Sequence, residues 1–521
     1  MFLAKILWVD DEIESLQSQK IFLEGKGYNV ETLTNGFDAI DYVKENPVDL
    51  VLMDESMPGL TGLETLAKIK EINSQIPIVL ITKNETENLM DDAIGSQISD
   101  YLIKPVNPNQ VLLSLKKILD NKRLVSERTN TAYQQQFRTL FMFLNSNPNH
   151  NEWMDIYKKL VYWELEMGKS DSPEMREIFQ SQKQEANAEF FKFVSKNYAG
   201  WVNPKNAAPP VMSHTLMQKK VFPVLQTGVP TFFILIDNLR FDQWKSIQPI
   251  FSESFRILEE DSFYSILPTA TQYCRNAIFA GLLPAEIEKQ FPVQWKNDDE
   301  EGGKNLFEEE FLRAQLKRHK KDIKFSYTKV VNHHDGQNML NNIHNLLGND
   351  LNIIVYNFVD MLSHARTEME VLKELASDET SYRSITASWF EHSPLHQALK
   401  KIADKKINIV LATDHGSVRV KTPSKVIGDK QTTTNLRYKH GRNLNYDAKD
   451  VLVFREPKEA GLPGPSINSS YIFAREDGFL CYPNNYNYYV NYYRNTFQHG
   501  GVSLEEMIVP VVRMTGRQNP A

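Results

Sequence analysis

The sequence predicts an α/β fold, because three apolar runs each stop at a carboxylate. They are Thr231-Phe-Phe-Ile-Leu-Ile-Asp237, Asn352-Ile-Ile-Val-Tyr-Asn-Phe-Val-Asp360 and Asn408-Ile-Val-Leu-Ala-Thr-Asp414. A short continuous apolar run reads as a buried strand. A parallel sheet places its ligands just past the carboxyl ends of its strands. Asp237, Asp360 and Asp414 are therefore expected on one working rim. A fourth run, Met507-Ile-Val-Pro-Val-Val512, follows His499-Gly500-Gly501.

Asp414 is followed by His415 and Gly416. Adjacent side chains on a straight strand point to opposite faces. Both can reach one metal only if the chain turns, and Gly416 permits a turn. Asp360 and His364 are four apart, so one helical turn or a compact loop sets them on one side. Three aspartates with His364, His415 and His499 make an oxygen and nitrogen set suited to zinc or manganese. Divided in two, the set holds two ions, each with open positions.

Between the first two of these strands lies Leu267-Pro-Thr269-Ala-Thr271-Gln-Tyr-Cys-Arg-Asn276. Pro268 and the threonines mark a helix start. A hydroxyl there meets a positive dipole end and free N–H groups, a good place for an alkoxide and a phosphate oxygen. Either threonine could instead simply cap the helix.

The first 120 residues show a second α/β pattern. Lys5–Val9, Asp49–Met53, Pro77–Ile81 and Asp100–Ile103 read as strands, separated by amphipathic segments such as Ser15–Leu23 and Leu63–Ile72. This predicts a doubly wound sheet. Asp10, Asp11 and Asp54 gather at its rim and call for a hard cation, magnesium. Lys104 can neutralise a phosphoryl group on one of them, Thr82 can bond its oxygen, and Pro105 allows a cis peptide that aims Lys104 inward.

Val-Asp10-Asp11-Glu, Asp54-Glu-Ser-Met-Pro-Gly, Ile-Thr82-Lys and Tyr-Leu-Ile-Lys104-Pro105 resemble the receiver domains of response regulators, which have the CheY-like fold. The resemblance implies phosphorylation of Asp54 by a sensor histidine kinase. It makes Asp10 and Asp11 holders of magnesium, and Thr82 and Tyr101 a switch pair. Residues 121–205 read as helices: Phe137, Leu140, Phe141 and Leu144 keep helical spacing, as do Trp153, Ile156, Tyr157, Leu160 and Val161. They are expected to form a small bundle relaying the receiver state, ahead of a linker at Asn203–Pro210.

Over residues 216–518, Leu-Ile-Asp237-Asn, Pro-Thr-Ala-Thr271, Val-Asp360-Met-Leu-Ser-His364, Ala-Thr-Asp414-His415-Gly and Gln-His499-Gly-Gly resemble the alkaline phosphatase superfamily, and within it PglZ domains. The resemblance implies one zinc on Asp237, Asp414, His415 and the Thr271 oxygen, and a second on Asp360, His364 and His499. It makes Thr271 the nucleophile, with Thr269 its rival. Cys274 stands where family members often carry asparagine, leaving Arg275 or Asn276 as phosphate-binding helpers. Three aspartates would repel a phosphate ester, and two divalent ions reverse that charge.

The three segments together resemble response regulators linked to type IX secretion. The expected function is a regulator with a zinc-dependent phosphodiesterase output. Its substrates would be nucleotides or oligonucleotides, cyclic ones included, and phosphorylation would drive homodimer formation. The alternatives are a phosphomonoesterase, or a non-enzymatic regulator binding a sigma factor or secretion component.

Composition fits this reading. Residues 1–120 carry 10 Lys/Arg against 20 Asp/Glu, while the remainder carries 49 against 46. That argues against a general DNA-coating protein. Two cysteines, Cys274 and Cys481, fit a reducing cytoplasmic setting. No signal peptide or membrane span is expected, since no apolar run approaches about 18 residues. Residues 417–443 hold seven Lys/Arg against Asp429 alone and could guide a polyanion, and Tyr486, Tyr488, Tyr489, Tyr492 and Tyr493 could stack bases. His333-His334-Asp335 reads as a loop rather than a metal site.

Overall fold

The computed structural model describes residues 4–73, 76–83, 98–144, 146–168, 173–203, 209–298, 300–368, 378–429, 432–464 and 468–517, without the side chains of 120–130 and 364–368. The chain divides into two compact units, with the boundary after Gln134 inside the long helix Asn121–Leu144.

The first unit is a five-stranded parallel sheet of β1 (Lys5–Val9), β2 (Asn29–Leu33), β3 (Leu50–Asp54), β4 (Ile78–Thr82) and β5 (Asp100–Ile103), in the order β2-β1-β3-β4-β5. Helices on both faces bury it, one face around Val9, Met53 and Leu66, the other around Trp8, Leu52 and Val111. Local sequence starts two of these helices cleanly. Thr61 and Glu64 form a capping box, as do Asn107 and Gln110 ahead of Pro108. The sequence did not reveal β2. It is a sheet edge with only Val30 buried, so it lacks an apolar run.

In the second unit, β6 (Thr231–Ile236), β7 (Phe255–Tyr264), β8 (Phe325–Val330), β9 (Leu351–Tyr356), β10 (Asn408–Ala412) and a C-terminal strand, Ile508–Gly516, form one mixed sheet. β10, β6, β9 and β8 run parallel in that order. The C-terminal strand lies antiparallel between β10 and β7. Ala412 is level with Leu235, and Ile236 with Tyr356, so three carboxyl ends share one rim. The second apolar run stops being strand at Tyr356, and Asp360 already lies in the helix Phe358–Glu368.

The helices His150–Gly168 and Pro173–Val202 pack on this sheet instead of forming a free-standing bundle. Trp153 meets Phe190 edge-on at 5.3 Å, Trp201 lies 5.1 Å from Tyr264 of β7, and the Tyr264 hydroxyl donates to the His150 carbonyl. Aromatic rings with one polar handle suit such a seam. Beside it runs a buried lattice of charge. Arg240 pairs with Asp242 and Glu379, Arg383 with Asp242 and Glu164, and Lys183 with Glu164 and Glu505. The carboxylates of Glu164, Asp242 and Glu379 converge, but these cations already neutralise them. Among the described residues no helix is long and apolar enough to cross a membrane.

Among the described residues, two of the cations at 417–443 are removed from solvent. Arg437 pairs with Glu506, and Lys439 is buried with its ammonium 4.5 Å above the Tyr482 ring. Among the described residues no carboxylate pairs with Lys439, and burial pushes its pKa from 10.5 down to about 8. The folded state thus binds fewer protons than the unfolded state between those values. Stability should rise with pH across that window and be lowest below it. Lys439→Met should remove this slope and add about 1–3 kcal/mol at pH 7. Denaturant unfolding at pH 7 and 9.5 checks this, and equal slopes in both proteins would contradict it.

Candidate metal centre

Asp237 leaves the end of β6, and Asn238 turns the chain with φ 62°, a left-handed conformation asparagine tolerates. The Asn238 amide donates to Asp414 Oδ1 at 3.2 Å, and its side chain donates to Asp360 Oδ1 at 3.4 Å. After β10, Thr413 Oγ1 accepts from the Leu239 amide at 3.0 Å and donates to the His415 carbonyl. These bonds fold the strand end so that Asp414 and His415 reach the same rim. Gly416 serves differently than expected. Its φ is not left-handed, but a Cβ there would lie 2.0 Å from the Glu505 carbonyl oxygen.

The ligand atoms of Asp237, Asp414 and His415 all lie within 4.8 Å of one another. His415 Nε2 is 3.8 Å from Asp237 Oδ1 and 4.0 Å from Asp414 Oδ1. Thr271 Oγ1 lies 3.0 Å from that nitrogen and 3.4 Å from Asp237 Oδ1. Thr271 opens the helix Thr271–Ala280, whose N-cap is Ala270, with no side-chain capping bond. Its hydroxyl faces the acids rather than closing the helix end. Thr269 is elsewhere engaged, donating to the Gly501 carbonyl at 2.9 Å and accepting from the Gly500 amide at 3.0 Å.

Arg275 organises the back of this group. It is fully buried, pairs with Asp237 Oδ2, and donates from Nε to Asp414 Oδ2 at 3.0 Å. The guanidinium also donates to Asn357 at 3.2 Å and lies 3.6 Å from Glu308. It therefore holds the rear oxygen of each aspartate and leaves Oδ1 of both facing His415 and Thr271. As a helper touching phosphate, Arg275 is excluded by its burial behind the acids. Cys274 points the other way, into Ser265, Ile266 and Pro268, and burial pushes its thiol up to about 12. Asn276 donates to the Lys304 carbonyl.

Burial pushes the Asp237 carboxyl well above its ordinary range despite Arg275, with Asp414 and Asp360 adding to the rise. Burial acts the same way on Asp414, but Arg275, His415 and the Asn238 amide hold it below its usual value. The two carboxyls are thus pushed in opposite directions, and a divalent cation between them would favour the charged form of both. Two carboxylates, an imidazole and a hydroxyl facing one point fit an ion such as zinc with an open position.

Beside this group, His499 stacks on His415 with ring centres 4.2 Å apart, and its Nε2 lies 3.7 Å from Asp360 Oδ1. His499 Nδ1 lies 3.1 Å from the Thr269 carbonyl, which fixes the ring's orientation. The backbone of His364 is in the helix that carries Asp360, but its side chain lies outside the described residues. His333 and His334 are exposed at the start of a helix capped by Asn332, not in a loop, and are not part of the rim group.

In the first unit, Asp10, Asp11 and Asp54 also place ligand atoms within 4.8 Å of one another, a trio that fits magnesium. Lys104 Nζ lies 2.8 Å from Asp10 and 3.0 Å from Asp54, behind a cis Lys104–Pro105 bond. Burial raises Asp54 to about 6, with Lys104 opposing and Asp10 and Asp11 adding. Thr82 Oγ1 donates to Glu55 at 3.2 Å, and Tyr101 on β5 is exposed.

The family of BREX system PglZ alkaline phosphatase-like domains matches residues 216–514, more than half of the chain. The chain belongs to the PglZ family. A response regulator receiver domain matches residues 6–116, and the PorX response regulator linker domain matches 123–202. Its architecture is therefore that of a PorX-like response regulator, and a receiver domain implies a histidine kinase partner. Two curated relatives each match a quarter of the chain. The transcriptional regulatory protein ZraR of Klebsiella oxytoca is 36% identical over 132 residues, 25% of this chain and 30% of that protein. A CpxR homolog of Haemophilus influenzae is 35% identical over 132 residues, 25% of this chain and 56% of that one. This chain thus spans under two thirds of the length of either. Among solved structures, a CheY-like receiver domain from Methanospirillum hungatei is 28% identical, covering 23% of this chain and 94% of that one at a TM-score of 0.22.

The role of Arg275 in the PglZ domain is open to direct measurement. In chelator-stripped protein, Arg275→Met should lower the unfolding free energy by about 3–5 kcal/mol, because two buried aspartates lose their counter-charge. Urea melts check this, and a change below about 1 kcal/mol would contradict it.

Proposed function

We propose that this regulator is phosphorylated on Asp54 and that its PglZ domain is a zinc-dependent phosphodiesterase. Its substrates are nucleotides or oligonucleotides, cyclic ones included. The observation that carries this reading is the Thr271 hydroxyl, which starts a helix yet faces Asp237 and His415 instead of capping it. Asp237, Asp414, His415 and Thr271 hold one zinc, and Asp360, His364 and His499 the other. When bound, the two ions supply Lewis acidity and offset the charge of the aspartates and the phosphate.

The chain's own groups do the rest. Free N–H groups of the first turn and the helix dipole favour a negative oxygen at Thr271. Thr271 Oγ1 gives up its proton to water as it bonds to phosphorus, the bond from phosphorus to the leaving alcohol breaks, and that alkoxide takes a proton back from water. Water then attacks the phosphothreonine, restores the hydroxyl and releases a phosphomonoester. A diester fits better than a monoester because Arg275 is already engaged by the two aspartates, leaving the dianion of a monoester without that fixed cation.

In the receiver, Asp10, Asp11 and Asp54 hold magnesium while a sensor histidine kinase supplies the phosphoryl group. Lys104 neutralises it, and Thr82 and Tyr101 repack in response. The phosphorylated chain forms a homodimer in the cytoplasm and regulates type IX secretion, where a sigma factor or secretion component is the protein partner.

Two assays test this. Acetyl phosphate should label the wild type and not Asp54→Ala, and equal labelling would remove Asp54 as the acceptor. Bis-nitrophenyl phosphate should be cleaved by the zinc-loaded wild type, while Thr271→Ala keeps its zinc and loses turnover by at least about 10³-fold. Retained turnover in that variant would rule out covalent catalysis at Thr271.

A further inference from the structure

The linker helix Pro173–Val202 reaches the segment between His499 and the C-terminal strand. Asn187 Oδ1 accepts from the Leu504 amide at 2.8 Å, and its Nδ2 donates to Glu505 Oε2 at 3.2 Å. Lys183 pairs with Glu505 Oε1 at 3.0 Å and with Glu164 at 2.8 Å. The backbone of Glu505 and Glu506 then presses on the residue after His415. The Glu506 carbonyl accepts the Gly416 amide at 3.2 Å, and the Glu505 carbonyl oxygen occupies the space a Gly416 Cβ would need.

The side chain of Glu506 grips the loop that follows the other histidine, His499. It is fully buried and accepts from the Gly501 amide at 2.9 Å, from Ser503 Oγ at 2.6 Å and from Arg437 Nε at 3.1 Å. Gly500 and Gly501 are in turn bonded to Thr269, whose carbonyl fixes His499. The pair Glu505–Glu506 thus touches the chain beside both His415 and His499.

An apolar contact would attach a helix to a domain more cheaply than two buried carboxylates with their cations. What the polar contact adds is geometry. Every oxygen has a fixed donor, so a shift of the helix must be followed by the backbone it grips. We propose that Glu505 and Glu506 form a strap through which Lys183 and Asn187 of the linker helix set the positions of His415 and His499, and so control how tightly the centre holds metal. These four are positioning residues. The proposal rests on the zinc-binding part of the function given above, not on hydrolysis.

Zinc affinity of the full chain, measured by competition with a chromophoric chelator, tests it without any turnover. Lys183→Met and Asn187→Leu should each weaken zinc binding by about 10–100-fold, the usual cost of losing a group that orients a ligand. Lys183→Arg should restore binding, and Glu505→Gln, which keeps the shape and loses the charge, should resemble Lys183→Met. Lys192→Met, at an exposed lysine of the same helix, should bind as wild type. The visible spectrum of the cobalt-substituted protein should change in the first two variants, because ligand geometry moves.

Lower melting temperatures with unchanged zinc affinity and an unchanged cobalt spectrum would overturn the strap and leave only a packing role. A wild type that binds zinc but cleaves no diester would sink the phosphodiesterase alone. A wild type that binds no zinc would sink both.

Discussion

The bond between Arg275 and the rear oxygens of Asp237 and Asp414 is the constraint on which the candidate centre depends. Two aspartates on neighbouring strands repel each other when buried, and left alone they would rotate toward water or keep their protons. A guanidinium presents a planar fork that can hold one oxygen of each. The remaining oxygens then point forward, where His415 and Thr271 meet them. That arrangement is what separates a mere rim of acids from a group that could hold a metal.

The same logic recurs through the second unit. Arg383 with Asp242 and Glu164, Lys183 with Glu505 and Arg437 with Glu506 are all largely buried pairs, and each ties segments far apart in sequence. Such pairs add little net stability compared with apolar packing, but they fix direction. The linker helices attach to the PglZ sheet by both means. An aromatic seam around Trp153, Phe190 and Tyr264 supplies adhesion, and the charged contacts supply registration. Helices that merely join two domains would need only the first.

Much of this was legible in the sequence. Asp237 and Asp414 could be found because a strand buried on both faces is an unbroken apolar run, and its end marks a rim. Asp10, Asp54 and Lys104 were legible for the same reason in the receiver. Thr271 could be named, but choosing it over Thr269 without a family resemblance needed the geometry, since both stand at a helix start and either could cap it. Arg275 was read as a possible phosphate helper and proved to lie behind the acids, because sequence spacing does not say which face of a buried helix an arginine takes. Glu505 and Glu506 carry no local signal of their role. Their partners, Lys183, Asn187 and Arg437, lie tens to hundreds of residues away. β2 escaped notice because an edge strand with one buried residue carries no run. Gly416 was expected to permit the turn and instead provides room for the passing backbone of Glu505.

The most direct measurement is X-ray diffraction from crystals of the zinc-loaded protein, with data collected on both sides of the zinc absorption edge. The account predicts an anomalous peak within about 2.2 Å of Asp237 Oδ1, Asp414 Oδ1 and His415 Nε2, with Arg275 still on the rear oxygens. Strong density for zinc at surface sites and none between these three atoms would contradict it.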